Sequence, residues 1–157
     1  MAPQAMDLTP LLLACAPLIA PGTAQALIAT ESGGNPFAIG LVAGSLVRQP
    51  ANLSEAVATA RALDAAGRNY SVGLGQINKG NFSKHGMTLE TAFDPCKNLQ
   101  AMQAILGDCF ERATQRADSQ TALRQAFSCY YSGNFQTGFD HGYVRKVVTA
   151  WSAQHPR

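Results

Sequence analysis

"DPCKNLQAMQAILGDCFERA" occupies residues 94–113, and its reading decides the fold class. Asp94 is a good helix N-cap, because its carboxylate can accept a hydrogen bond from the free N–H groups of the first turn. Pro95 follows at the first helical position, where a missing N–H costs nothing. From there Leu99, Met102, Leu106, Cys109 and Ala113 recur at three- and four-residue steps and draw one apolar stripe. The stretch predicts a long amphipathic helix with one face in a core.

The same spacing extends outward in both directions. Towards the N-terminus it predicts helices over 7–17, over 24–31 after the "APGT" break with Thr23 as N-cap, and over 54–66, starting near Ser54 and stopping before Gly67. Towards the C-terminus it predicts a helix over 120–131 carrying Ala122, Leu123, Ala126, Phe127 and Tyr130, closed by Gly133. A last helix over 142–153 places Val144, Val147, Val148 and Trp151 on one side. Residues 67–87 hold five glycines and read as loop. No run of period-two alternation appears. The expected fold is mainly α: one compact domain of several short helices with at most a minor β element. No Pro/Gly-rich linker divides it, and residues 1–6 and 152–157 are expected to be loosely ordered ends.

A chain of 157 residues with 46% apolar and 14% charged residues can bury a substantial core. Its formal charge of +2 is small and its basic residues are scattered, which argues against nucleic acid as a partner. Cys15, Cys96, Cys109 and Cys129 lack any CxxC or Cys/His spacing for zinc. Their even number suggests disulfides and an oxidising compartment, with buried thiols as the alternative. One pairing is excluded: Cys96 and Cys109 share the predicted long helix and lie about 20 Å apart at ~1.5 Å per residue. "LTPLLLACAPLIAPGTAQA", residues 8–26, has the apolar character of an export signal, but no basic residue precedes Arg48. Prolines interrupt it, and it is too short to span a bilayer. The expectation is a core helix and no transmembrane segment, with any export signal already removed.

Ten carboxylates are present. Nine fall at helix starts, on polar faces or in loops, where solvation or capping explains them. Glu31, in "ALIATESGGNPFAIG" (26–40), instead stands four residues after Leu27 and three after Ile28, on the face those residues bury. Burial disfavours a carboxylate and raises its pKa, which suits a general acid at neutral pH; the competing reading is a structural Glu satisfied by hydrogen bonds. His85, His141 and His155 lie in polar or terminal segments with no nucleophile motif beside them. Metal, dinucleotide and phosphate-loop motifs are absent, and "GLGQ" at 73–76 lacks the lysine a phosphate loop requires.

Four segments, "ESGGNP" (31–36), "SVGLGQIN" (71–78), "NLQAMQAIL" (98–106) and "CYYSGN" (129–134), resemble in order the motifs of lysozyme-like lytic transglycosylases of the SLT family. The likeness is closer to the branch found in type IV secretion and conjugation systems. "CAP" at Cys15–Pro17, an insertion at 41–70 and "GYVRKV" at Gly142–Val147 match that branch. The resemblance covers about residues 8–148.

It implies a lysozyme-like fold and cleavage of peptidoglycan between MurNAc and GlcNAc with formation of a 1,6-anhydro product. Glu31 is then the sole catalytic acid, needing no metal and no cofactor. Substrate-binding roles are implied for Ser71, Gly75, Gln76, Tyr130, Tyr131 and Asn134. Tyr131 stands where the family usually has Asn, so a phenol able to stack on a sugar replaces an amide. The implied partners are peptidoglycan glycan strands and type IV secretion system components, and the implied location is the periplasm. Two alternatives are a hydrolytic muramidase of the same fold and a peptidoglycan-binding assembly module of the secretion apparatus. Retention of Glu31 argues against the second.

Overall fold

The computed structural model describes residues 7–156. Among these there are eight α-helices and a small three-stranded antiparallel sheet, which agrees with a mainly α fold. The long central helix, α5 (Pro95–Thr114), starts as its sequence requires: the Asp94 carboxylate accepts from the Lys97 N–H at 2.9 Å. All five residues of its predicted stripe are buried. Helix α6 (Ser119–Ser132) packs antiparallel to it after a short turn, capped by Asp118 and ended by Gly133 at φ +84°.

On the N-terminal side, α1 (Thr9–Cys15) is a single short stretch that lies on α5. Helix α2 (Pro21–Glu31) begins three residues earlier than expected. Pro21 and Gly22 do not break the chain; Pro21 occupies the first turn, where it is tolerated, and Thr23 is inside the helix. Ala24, Leu27 and Ile28 are fully buried against α8 (Tyr143–Gln154). Helix α3 (Leu53–Ala65) is capped by Asn52, whose side chain accepts from Glu55 N–H at 2.9 Å. Two single-turn helices, α4 (Leu89–Ala92) and α7 (Thr137–Asp140), complete the set.

The segment expected to be loop is partly sheet. Strands β1 (Ile39–Leu41), β2 (Tyr70–Val72) and β3 (Ile77–Asn78) pair in that order, with Gly40 opposite Ser71 and Ser71 opposite Asn78. Strands of three and two residues are too short to display an alternation. Two 3₁₀ turns follow, at Lys79–Asn81 and Ser83–His85.

Two further expectations are corrected. Trp151 is exposed rather than packed; it stacks on His155 with ring centroids 3.9 Å apart. Residues 152–154 continue α8 instead of forming a loose end, while residues 1–6 and 157 lie outside the described residues.

Disulfides close the scaffold. Cys15–Cys96 ties α1 to the start of α5, and Cys109–Cys129 ties α5 to α6. The pairing excluded by helix geometry is indeed absent. No described helix is long and apolar enough to cross a membrane.

Candidate active site

A cleft of about 850 Å³ runs between the sheet, the 3₁₀ turns and the wall formed by α5 and α6. Glu31 lines it from the last residue of α2. The break after it arises from "SGG": the Ser32 and Gly33 N–H groups close on the Ile28 carbonyl at 2.9 and 3.1 Å. The Ser32 hydroxyl donates to Leu74 O at 2.8 Å, tying this corner to the loop between β2 and β3. Glu31 therefore ends a helix whose direction is fixed by buried Leu27 and Ile28.

Burial pushes the Glu31 carboxyl up from 4.5 to about 7. One group opposes that rise. The Tyr143 hydroxyl donates to Glu31 Oε2 at 2.7 Å, favouring the ionised form. Burial and the neighbouring Glu31 charge hold the Tyr143 phenol far above its ordinary range, so it acts as a fixed donor. Tyr131 stacks on Tyr143, with centroids 4.5 Å apart and planes at 20°. The Tyr131 hydroxyl is in turn 3.0 Å from His141 Nδ1. The phenol standing in the family's Asn position thus braces the tyrosine that touches the acid.

Of the residues singled out from sequence, Glu31, Ser71, Gln76, Tyr130 and Tyr131 line this one cleft. Gln76 is held in a left-handed backbone conformation, φ +51°. Its Nε2 donates to Ala38 O and Gly73 O, both at 3.0 Å. Its amide donor is therefore engaged within the protein, and Oε1, lying against Gly40, is the part left for a ligand. Ser71 accepts weakly from Asn78 Nδ2 at 3.3 Å.

Gly75 and Asn134 fall outside the cleft lining. The Gly75 N–H donates to Asn98 Oδ1 at 2.7 Å and its carbonyl accepts from the Tyr130 hydroxyl at 2.5 Å. A Cβ there would stand 3.0 Å from that hydroxyl and 3.1 Å from Met102 Cβ. The close approach that requires glycine is thus to the protein's own core, not to a ligand. Asn134 Oδ1 accepts from the Gln136 and Thr137 N–H groups at 2.9 and 2.8 Å and so caps α7. Tyr130 stands between the two roles: burial, then the Glu31 charge, raises its pKa, while its hydroxyl holds the β2–β3 loop.

Two residues of this arrangement were not singled out from sequence. Asn98, fully buried, donates to Val72 O and Ala92 O at 2.9 Å each and accepts from Gly75. Its signal was the one that marked Glu31, a polar residue on a buried stripe beside Leu99 and Met102. Tyr143 gave no such signal, because a tyrosine on an apolar face reads as packing.

The cleft also carries a second carboxylate and two cationic side chains, Arg112 and Lys84. Asp108 lines it with Glu31, and its carboxylate accepts from Arg112 Nε at 3.1 Å. Arg112 Nη2 also lies 3.2 Å from Cys129 Sγ, at the disulfide on the cleft wall. Among the described residues no group of three or more His, Cys, Asp or Glu could hold a metal ion.

Known proteins share this sequence pattern. The family model described as "Transglycosylase SLT domain" matches residues 13–149. The chain is similar to the type IV secretion system protein virB1 of Brucella suis biovar 1, 51% identical over 143 residues that cover 87% of this chain and 60% of that protein. It is also similar to protein virB1 of Agrobacterium fabrum, 37% identical over 136 residues, covering 87% of this chain and 56% of that protein. The chain therefore spans well under two thirds of the length of these curated relatives. No solved structure matches it.

Proposed function

The chain belongs to the family of transglycosylase SLT domains, and from that membership and the geometry of its cleft we propose a lytic transglycosylase that cleaves the glycan strands of peptidoglycan. Protonated Glu31 donates its proton to the oxygen of the β-1,4 bond between MurNAc and GlcNAc, and the C1–O bond breaks as the leaving sugar takes up that proton. Glu31, now a carboxylate, removes the proton from the 6-hydroxyl of the same MurNAc. O6 closes on C1, giving the 1,6-anhydro sugar and returning Glu31 to its acid form. One carboxyl thus serves as acid and then base.

The observation that carries this reading is a single carboxyl, brought near pKa 7 by burial and held by Tyr143, in a cleft whose other acid is bridged to Arg112. A hydrolase of the usual two-carboxylate kind needs a second carboxylate placed across the scissile bond from the acid; the other carboxylate lining this cleft among the described residues, Asp108, is turned to Arg112 one turn along α5. Residues 8–148 form the catalytic core in this proposal. Ser71, Gln76 through Oε1, and the open face of Tyr131 contact sugar, while Gly75 and Tyr130 hold the loop that carries Gln76.

The setting follows from the relatives. One of them is named as a protein of a type IV secretion system, and we place this domain in the same role: it opens the wall locally in the periplasm for such an apparatus, with the apparatus components as its partners. Two disulfides suit that oxidising compartment.

Digestion of purified sacculi tests the reaction. Anhydro-muropeptides, read by mass, are expected; products one water heavier would mean a hydrolytic muramidase. Binding without any product would mean an assembly module.

The pH profile supplies a second test. Activity requires the acid form of Glu31, so it should fall as pH rises through about 7. Tyr143→Phe removes the donor that favours the carboxylate, and its alkaline limb should therefore move to higher pH. An unmoved limb in a folded Tyr143→Phe variant would show that this hydrogen bond does not tune the acid.

A further inference from the structure

Two residues of "CYYSGN" are spent inside the protein, and the two uses meet. Asn134 caps α7, and the Tyr131 hydroxyl lies against His141. Helix α7 ends in the turn that carries His141: the His141 N–H donates to Thr137 O at 2.9 Å and the Gly142 N–H to Phe139 O at 3.2 Å. Gly142 then takes a left-handed conformation, φ +77°, and α8 begins. The backbone of His141 is thus fixed from both sides. Its side chain is exposed and lies outside the cleft lining. The proton transfers at Glu31 give it no task.

A ring in that position nonetheless reaches the acid through others. Tyr131 is half exposed on the cleft wall, and a phenol so placed swings unless something holds it. His141 holds it in two ways. Its Nδ1 is 3.0 Å from the hydroxyl, and its ring meets the phenol edge-on, with centroids 5.8 Å apart and planes at 81°. A neutral imidazole protonated on Nε2 accepts there, and an imidazolium donates to the phenol oxygen, so the link persists in either form. The face of Tyr131 so fixed packs on Tyr143 with centroids 4.5 Å apart. Tyr143 in turn reaches Glu31 Oε2 at 2.7 Å, through a hydrogen bond whose strength falls steeply with misalignment.

We propose that His141 is a positioning residue for the acid: through Tyr131 it holds the Tyr143 ring where its hydroxyl reaches Glu31. The proposal rests on the reading of Glu31 as the acid of the reaction. The groups that face this carboxyl are phenols, Tyr143 from α8 and Tyr130 from α6, and the Tyr130 hydroxyl is committed to Gly75 O. Helix α1, which also packs on α2, has no charged side chain, and Arg145 and Lys146 of α8 are exposed. Elsewhere in the cleft Asp108 and Arg112 pair with each other, and Lys84 and His85 stand on a 3₁₀ turn. Beside His141, Asp140 accepts from Gln136 Nε2 at 2.8 Å. Among the described residues Tyr143 is the side chain hydrogen-bonded to Glu31, and so is the route by which His141 acts on it.

Titration of the Glu31 side chain, followed by NMR of carboxyl-labelled protein, tests this without turnover. Tyr131→Phe keeps the ring and removes its hydroxyl, and His141→Ala removes the partner of that hydroxyl. Each should raise the Glu31 midpoint above its wild-type value of about 7 by about half a pH unit, because a loosened Tyr143 hydroxyl favours the carboxylate less. The two together should raise it no further than either alone, and neither should raise it in a Tyr143→Phe background. His141→Asn, which sets a polar atom near the place of Nδ1, should restore the wild-type midpoint. The alkaline limb of activity should follow the midpoints. An unmoved midpoint in folded Tyr131→Phe and His141→Ala variants would overturn the proposal, as would a shift that persists at full size in Tyr143→Phe. Midpoints that move as expected in a protein yielding no anhydro products would count against the transglycosylase reading and leave the positioning role standing.

Discussion

Glu31→Gln is expected to lower cleavage of sacculi by about 10³-fold or more while making the protein more stable. The loss follows because in the proposed mechanism one carboxyl performs both proton transfers, and an amide performs neither. The gain follows from the same burial that raises the pKa. The unfolded chain loses the Glu31 proton near the ordinary 4.5, and the folded protein keeps it to about 7. Between those values the native state binds the extra proton, so stability falls as pH rises from 4.5 through 7 and stays lower above 7. A shift of that size corresponds to at most about 3 kcal/mol, and less where cleft water screens the carboxylate. Glutamine carries no such penalty and still offers an oxygen to the Tyr143 hydroxyl. The variant should therefore melt higher than wild type at pH 8, by several degrees, and nearly together with it at pH 4. Thermal unfolding at the two pH values decides the point; a variant that melts lower at both would show that Glu31 is a structural anchor.

The second large effect is expected from Cys15→Ala with Cys96→Ala. This disulfide closes a separation of 81 residues, against 20 for Cys109–Cys129. Loop-closure entropy assigns it roughly 4.5 kcal/mol, and roughly 3.3 kcal/mol to the shorter one. A domain of this size has on the order of 5–15 kcal/mol in total, so loss of the longer link removes a large part of it. The packing that remains for α1 is small: buried Leu12, half-buried Leu11 and the hydrogen bond from Gln25 to Thr9. The helix has seven residues, and only Leu12 and Cys15 among them are buried. Denaturant unfolding of the double variant should show a markedly lower midpoint, and reduction of wild type should reproduce the shift. An unfolding free energy within a few tenths of a kcal/mol of wild type would mean that α1 is held by packing alone.

What could be read in advance divides along physical lines. Helix α5 and the stripes of α6 were legible because burial of one helical face writes a period into the residues, and Asp94 and Gly133 marked their ends. The sheet was not, since three paired residues write no period. Glu31 was legible as a charge on a face that had to be buried. Asn98 carried the same kind of mark, but an amide is a weaker anomaly than a carboxylate, and it was not singled out. Tyr143 could not be told from a core tyrosine: its function lies in a hydroxyl whose partner is 112 residues away in the chain. Gln76 and Gly75 were visible as a motif, yet their contacts run inward to Ala38, Asn98 and Tyr130, which only the folded chain brings within reach. Thr23 misled because a capping residue near a proline looks like a start, whereas Pro21 already satisfies the first turn.

One placement has a bearing on the second half of the reaction. Glu31 is the last residue of α2, so its carboxyl stands at the end where the aligned peptide dipoles leave a partial negative charge. A carboxylate formed there is repelled by its own helix, by about 0.3–1 kcal/mol at such a site. That makes it a thirstier base at the moment it must recapture a proton from the sugar. Carried at the opposite end of the same helix, the group would be a comfortable anion, already without its proton at neutral pH and a weak base for taking one back. In the proposed mechanism, the direction in which α2 runs into the cleft is thus part of the catalyst.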